Sequence, residues 1–167
     1  MSQYTTDFAS IDEYESGSIT VISEDNKKNY VFSNMYEVAA KSAPYERVAV
    51  AKNFEYVIES TRAEGTSPWY TAAHDEFAVA MDYPVTVELV KLEDPDAVVD
   101  PESEGAHKLS GDPQGPKMGT IKLSRGHMAL LPVGAAYRFS AESPATLMIQ
   151  TIDGPVTQHK WAEFCHQ

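Results

Sequence analysis

Apolar residues recur at every second position in several short stretches of this chain, the pattern of half-buried strands rather than of helices. Residues 18–23 (SITVIS), 47–51 (RVAVA) and 54–61 (FEYVIEST) follow it, and Lys52 with Asn53 is a hairpin candidate between the last two. The alternation is strongest from Phe77 to Leu89. Phe77, Val79 and Met81 share one face; after Tyr83 and Pro84, Val85, Val87 and Leu89 share another. Pro84 has no N–H to give to a ladder, so it marks a corner between two strands. Residues 118–124 and 145–152 add further strands.

Two stretches read as helical. Residues 33–42 form a short helix that Ser33 or Asn34 can cap, with Pro44 just beyond its end. Residues 159–166 suggest a terminal turn that packs Trp161 and Phe164. Residues 1–16 are polar and acidic, an arm rather than part of a core. Residues 93–119 carry several prolines and glycines and little apolar periodicity. A loop of that length is uncommon in a compact domain; it is read as a solvated acidic excursion or as an arm that packs on a partner. The chain thus divides into an N-terminal arm with a strand and a short helix (1–45) and a β-rich body (46–167). Many short strands with turn signals between them predict an all-β barrel or sandwich.

Composition narrows the function. The 167 residues suit one domain with a core of its own. A net charge of -12 argues against nucleic acid, and Lys27-Lys28 is the only adjacent basic pair. No apolar run approaches the ~20 residues of a membrane span. The start of the chain lacks the basic and apolar regions of a secretory signal. The single cysteine, Cys165, cannot form an internal bridge and fits a reducing compartment. A cytoplasmic location is expected. No P-loop, dinucleotide fingerprint, nucleophile elbow or cysteine pair occurs.

Two strings carry the remaining information: PWYTAAHDEFAVAMDYPVTVEL from Pro68, and GHMALLPVGAAYRF from Gly126. The second matches the spacing G-x5-P-x-G-x2-H-x3-N of metal cupins at Gly126, Pro132 and Gly134, but Tyr137 stands in place of the metal-binding histidine and Ala141 in place of the asparagine. Pro132 presets φ for a turn and Gly134 permits the reversal. In the first motif, G-x5-H-x-H-x3,4-E-x6-G, Glu76 takes the glutamate position. The two histidines fall on Trp69 or Tyr70 and on Thr71 or Ala72. His74 lies between ligand positions; aligned with Glu76 as an H-x-H element, it gives at best one histidine and one carboxylate. A catalytic metal needs about three protein ligands in fixed geometry, so no metal site is expected in this chain. His127 and His107 read as packed or solvated histidines. Tyr137 and Phe139, on one strand face, are expected to fill the interior.

These strings, the small size and the acidic balance resemble the small (α) subunit of two-component, Fe(II)-dependent hydroquinone 1,2-dioxygenases, over essentially the whole chain. The resemblance implies a cupin-like jelly-roll β-barrel with a few short helices and an α2β2 heterotetramer with a larger cupin subunit. In that family Fe(II) is bound by the larger subunit, and O2 opens the ring of hydroquinone, an aromatic diol, to 4-hydroxymuconic semialdehyde, in the catabolism of 4-nitrophenol and related phenols. The small subunit lacks the iron site and is required for activity and stability. No catalytic residue is then expected here. Trp69 and Tyr70 are singled out as substrate-binding residues at the barrel mouth, lining a pocket shared with the large subunit, where such aromatic side chains anchor well. Two other readings stay open: a stand-alone metal cupin enzyme using His74 and Glu76, and a non-enzymatic cupin that binds a small molecule or scaffolds an assembly.

Overall fold

The computed structural model describes residues 20–21, 31–32, 34–53 and 55–160. The strand expected at 18–23 is represented by β1 (Thr20–Val21), antiparallel to β2 (Val31–Phe32). The arm at 1–16 and the terminal Trp161, Phe164 and Cys165 lie outside the described residues.

Helix α1 (Met35–Lys41) begins where the polar pattern placed it. The Asn34 side chain accepts from the backbone N–H groups of Tyr36 and Glu37 at 2.9 and 3.2 Å, which satisfies two donors that have no partner within the helix. Val38 of α1 packs with Val48 and Val50 of β3 (Arg47–Asn53) in a small cluster outside the main core. β3 pairs antiparallel with β4 (Tyr56–Thr66). Lys52 and Asn53 still belong to the ladder, opposite Val57 and Tyr56, so they are not the hairpin loop expected there.

The body is the expected all-β jelly-roll barrel, organised by one long strand, β11 (Ala135–Ile152). Its first part pairs with β7 (Val85–Lys91) on one side and meets β5 (Tyr70–Ala72) at Tyr137↔Tyr70 on the other. Its second part runs between β4 and β6 (Glu76–Ala80). The register against β4 shifts between Ala141 and Ala145, and the exposed Glu142, Ser143 and Pro144 lie in that bulge. Such a bulge bends a strand, which lets β11 pass from one wall to the other. β9 (Lys117–Leu123) extends the first wall beyond β7; β10 (Met128–Leu131) and β12 (Thr157–Gln158) end the second. Tyr137, Phe139, Leu147, Ile149, Leu131 and Leu123 fill the interior, each at most 2% exposed. Each such burial is worth about 1.5–3 kcal/mol.

The turn read at Pro132 is present: Ala135 N–H donates to the Pro132 carbonyl at 3.2 Å, and Gly134 has φ +76°. β6 turns a different face inward from the one its large residues suggested. Glu76, Ala78 and Ala80 are fully buried, while Phe77 is 39% exposed. Bulk is supplied to the interior by β11, so small residues suffice on β6.

Residues 93–119, expected as one long acidic loop, contain regular structure. Asp94 caps a short helix, α2 (Pro95–Val98), by accepting from Ala97 N–H at 3.3 Å, and Pro95 suits its first turn. β8 (Ala106–Lys108) pairs with β5, and β9 begins at Lys117. No helix among the described residues is long and apolar enough to cross a membrane.

Candidate functional site

The two motif positions Glu76 and Tyr137 converge inside the barrel, on a cation. Arg47, at the start of β3, is 2% exposed. Its Nη2 donates to Glu76 Oε1 at 2.9 Å and its Nη1 donates to the Tyr137 hydroxyl at 2.9 Å. Its Nε donates to Glu59 Oε2. The Tyr137 hydroxyl passes its own hydrogen bond to Glu76 Oε2. Thr157 Oγ1, on β12, donates to Glu59 Oε1 at 2.6 Å. The Arg47 guanidinium also lies 5.6 Å from the centroid of the Tyr70 ring, which packs 5.9 Å from Tyr137.

One cation therefore faces two carboxylates in a dry interior, and Glu59 and Glu76 are both fully buried. Burial works against the charge of Arg47, but Glu59, Tyr137 and Glu76 outweigh it and hold its pKa well above the ordinary value. Burial pushes the Glu59 carboxyl up, against the pull of Arg47 and Thr157. It also pushes Tyr137 well above the usual phenol range. The network ties β3, β4, β6, β11 and β12 together.

His74 stays apart from this network. It is half-buried; its Nε2 sits 3.2 Å from Thr151 Oγ1 and accepts from Ile152 N–H at 3.4 Å. Burial lowers its pKa. Its Nδ1 is buried without a partner among the described residues. His127 accepts from Ser124 N–H through Nδ1 at 3.2 Å and serves the turn before β10. His107 is half-buried on β8, rather than solvated in a loop.

Trp69 and Tyr70, expected together, point opposite ways because neighbouring residues at a strand alternate. Tyr70 faces inward at 5% exposure, and burial raises its pKa. Trp69 is half-buried and packs on the outward side chain of β11 rather than on the interior rings. Its indole lies 4.6 Å beneath the guanidinium of Arg138, a β11 residue flanked by the inward Tyr137 and Phe139. Arg138 donates in turn to Glu88 on β7. The Trp69 indole N–H donates to Asp112 Oδ1 at 3.1 Å.

Neither a family model nor a curated protein matches the sequence. Solved structures do. A chain of hydroquinone 1,2-dioxygenase from Sphingomonas sp. TTNP3, with 4-hydroxybenzoate bound, is 55% identical, covers 99% of both chains and superposes with a TM-score of 0.81. The chain belongs to the hydroquinone 1,2-dioxygenase family. A chain of hydroquinone 1,2-dioxygenase PnpCD, in complex with Cd2+ and 4-hydroxybenzonitrile, is 48% identical over 99% of this chain and 98% of its own, with a TM-score of 0.79. PnpCD in complex with Fe3+ also presents a longer chain of related fold, 10% identical, of which this one covers 38%, with a TM-score of 0.57. PnpCD thus contains a metal in both structures, and part of its longer chain shares this fold.

No group of three or more His, Cys, Asp or Glu side chains among the described residues could hold an ion. Glu76, the one ligand position retained, is committed to Arg47 and Tyr137. Sequence reasoning identified Glu76 and Tyr137 and missed Arg47 and Glu59. The available signal was a charged residue in register with the inward face of an apolar strand, which alternation alone reads as a solvated position.

Proposed function

We propose that this chain is the metal-free small subunit of a heteromeric hydroquinone 1,2-dioxygenase. In this reading a larger cupin subunit holds the Fe(II), the assembly is α2β2, and the complex opens hydroquinone with O2 to 4-hydroxymuconic semialdehyde. The observation that carries it is the Arg47 guanidinium between Glu76 and Tyr137, in a chain related over its full length to hydroquinone 1,2-dioxygenase. A barrel whose ligand position is held by an internal cation contributes by binding and shaping, not by coordination.

Within that assignment Trp69 is the substrate-binding side chain. It stands on the outer face of the barrel, where a partner can complete a pocket. Arg138 covers one face of the indole, so a phenol ring stacks on the other, at about 0.5–1.5 kcal/mol beyond the area it buries. Tyr70, buried behind it, supports the wall from within. The ligands of the two related complexes, 4-hydroxybenzoate and 4-hydroxybenzonitrile, are para-substituted phenols, rings that can stack in this way.

Metal analysis and reconstitution test the proposal. The chain purified alone should carry no stoichiometric iron and show no turnover. Co-expressed with the larger cupin chain, it should form a complex with iron and ring-cleaving activity. Tight iron binding and unaided turnover by the isolated chain would favour the stand-alone metal enzyme. In the complex, Trp69→Ala should raise KM about ten-fold, the loss expected for one stacking contact with its buried area; unchanged kinetics would remove Trp69 from the pocket.

A further inference from the structure

Residues 109–116 form a strap across the outer wall, and both of its ends are fixed by backbone. At one end, Leu109 N–H donates to the Trp69 carbonyl at 2.9 Å. At the other, Glu93 N–H donates to the Gln114 carbonyl at 3.1 Å and Lys91 N–H to the Pro116 carbonyl at 3.0 Å. Gly115, with φ +146°, sits so close to the chain that a Cβ there would lie 1.8 Å from the Lys91 carbonyl oxygen. The strap therefore has little freedom to slide. Its one side-chain contact with the wall residue in question is the carboxylate of Asp112 on the indole N–H of Trp69.

The indole is held on two sides by chemically different groups. Arg138, itself oriented by Glu88, fixes the plane of the ring from above. Asp112 fixes its rotation within that plane, because an indole has a single N–H and only one edge can meet the carboxylate. A large aromatic side chain at a half-buried surface position would otherwise sample several rotamers. Holding it in one is worth affinity, since the ordering cost is met before the ligand arrives.

We propose that Asp112 and Arg138 are positioning residues that lock Trp69 in the orientation in which the indole face opposite Arg138 receives the phenol ring. This deepens the reading of Trp69 given above and rests on it. The strap thereby gains a role: it carries the acceptor that sets the indole.

The test uses the reconstituted complex, with this chain in a Trp161→Phe background so that Trp69 is its sole tryptophan. Asp112→Ala should raise KM for hydroquinone about two- to five-fold, the loss of one solvent-exposed hydrogen bond to the indole N–H, with kcat changed less than two-fold. Asp112→Asn, which keeps the acceptor, should restore KM. Near-ultraviolet circular dichroism of Trp69, read on the isolated small subunit, should weaken in Asp112→Ala and in Arg138→Gln and recover in Asp112→Asn. Combining Asp112→Ala with Trp69→Ala should cost no more than Trp69→Ala alone. If Trp69→Ala alters KM while Asp112→Ala leaves both KM and the dichroism unchanged, the positioning proposal falls and the Trp69 pocket stands. If Trp69→Ala itself has no effect, the pocket reading falls and takes the positioning role with it.

Discussion

Arg47 Nη2 lies 2.9 Å from Glu76 Oε1, so the surviving glutamate of a cupin ligand set neutralises a side chain of its own barrel. A guanidinium is always charged and offers donors in a fixed fork, which lets one residue engage Glu59, Glu76 and Tyr137 together. Removing the fork leaves two carboxylates in a dry core. Arg47→Met should destabilise the subunit by about 3–5 kcal/mol in urea unfolding. Adding Glu59→Gln and Glu76→Gln to Arg47→Met should recover most of that loss. If Arg47→Met alone changes nothing, the network does not hold the barrel.

The Tyr137 hydroxyl accepts from Arg47 and donates to Glu76, so Phe at this position keeps the ring and loses both bonds. Tyr137→Phe should cost about 1–3 kcal/mol, the penalty for leaving buried polar groups short of a partner. Tyr137→Leu, which also removes the edge contact with Phe139 at 5.5 Å, should cost more. Chemical denaturation of the two variants distinguishes the polar from the packing contribution.

His74 makes stability depend on pH in a fixed direction. Burial holds its folded pKa below the ordinary 6.5, so the unfolded chain binds the proton more readily. Its contribution is present above pH 6.5 and is lost as pH falls from there through the lowered value. His74→Asn should therefore show a shallower loss of stability than the wild type between pH 7.5 and pH 5.5, measured by urea unfolding at each pH.

Gly115 is where the strap is most constrained. Gly115→Ala places a methyl group against the Lys91 carbonyl and should force residues 109–116 off the wall, at a cost of about 1–3 kcal/mol. Faster amide exchange at Leu109 and the same loss of Trp69 dichroism as in Asp112→Ala are the expected signals. Normal exchange at Leu109 would mean that the strap tolerates the methyl.

Much of the architecture was open to inspection in the sequence because backbone requirements leave marks on residue type. Asn34 announced the start of α1, Pro84 the corner between β6 and β7, and Gly134 the reversal after β10. The resemblance read from the strings around Trp69 and Gly126 agrees with a relatedness of 55% identity over almost the full length. The interior network was hidden for a physical reason. Arg47 and Glu59 look like solvated strand residues, and only the meeting of β3, β4, β6 and β11 reveals that each neutralises the other. The direction of Trp69 was not legible, because alternation assigns opposite faces to neighbours without saying which is inward. Residues 93–119 were unreadable as structure because β8 is held by its pairing with β5, not by local propensity.

Neighbouring positions of β11 divide labour around Arg138: Tyr137 and Phe139 serve the sealed interior, while Arg138 between them packs on Trp69. Parity along this strand is consequently a functional coordinate. Deleting or inserting one residue between Pro132 and Tyr137 would thrust the Arg138 charge among the apolar rings and expel the phenol that Arg47 needs, undoing the barrel and the indole platform in the same event.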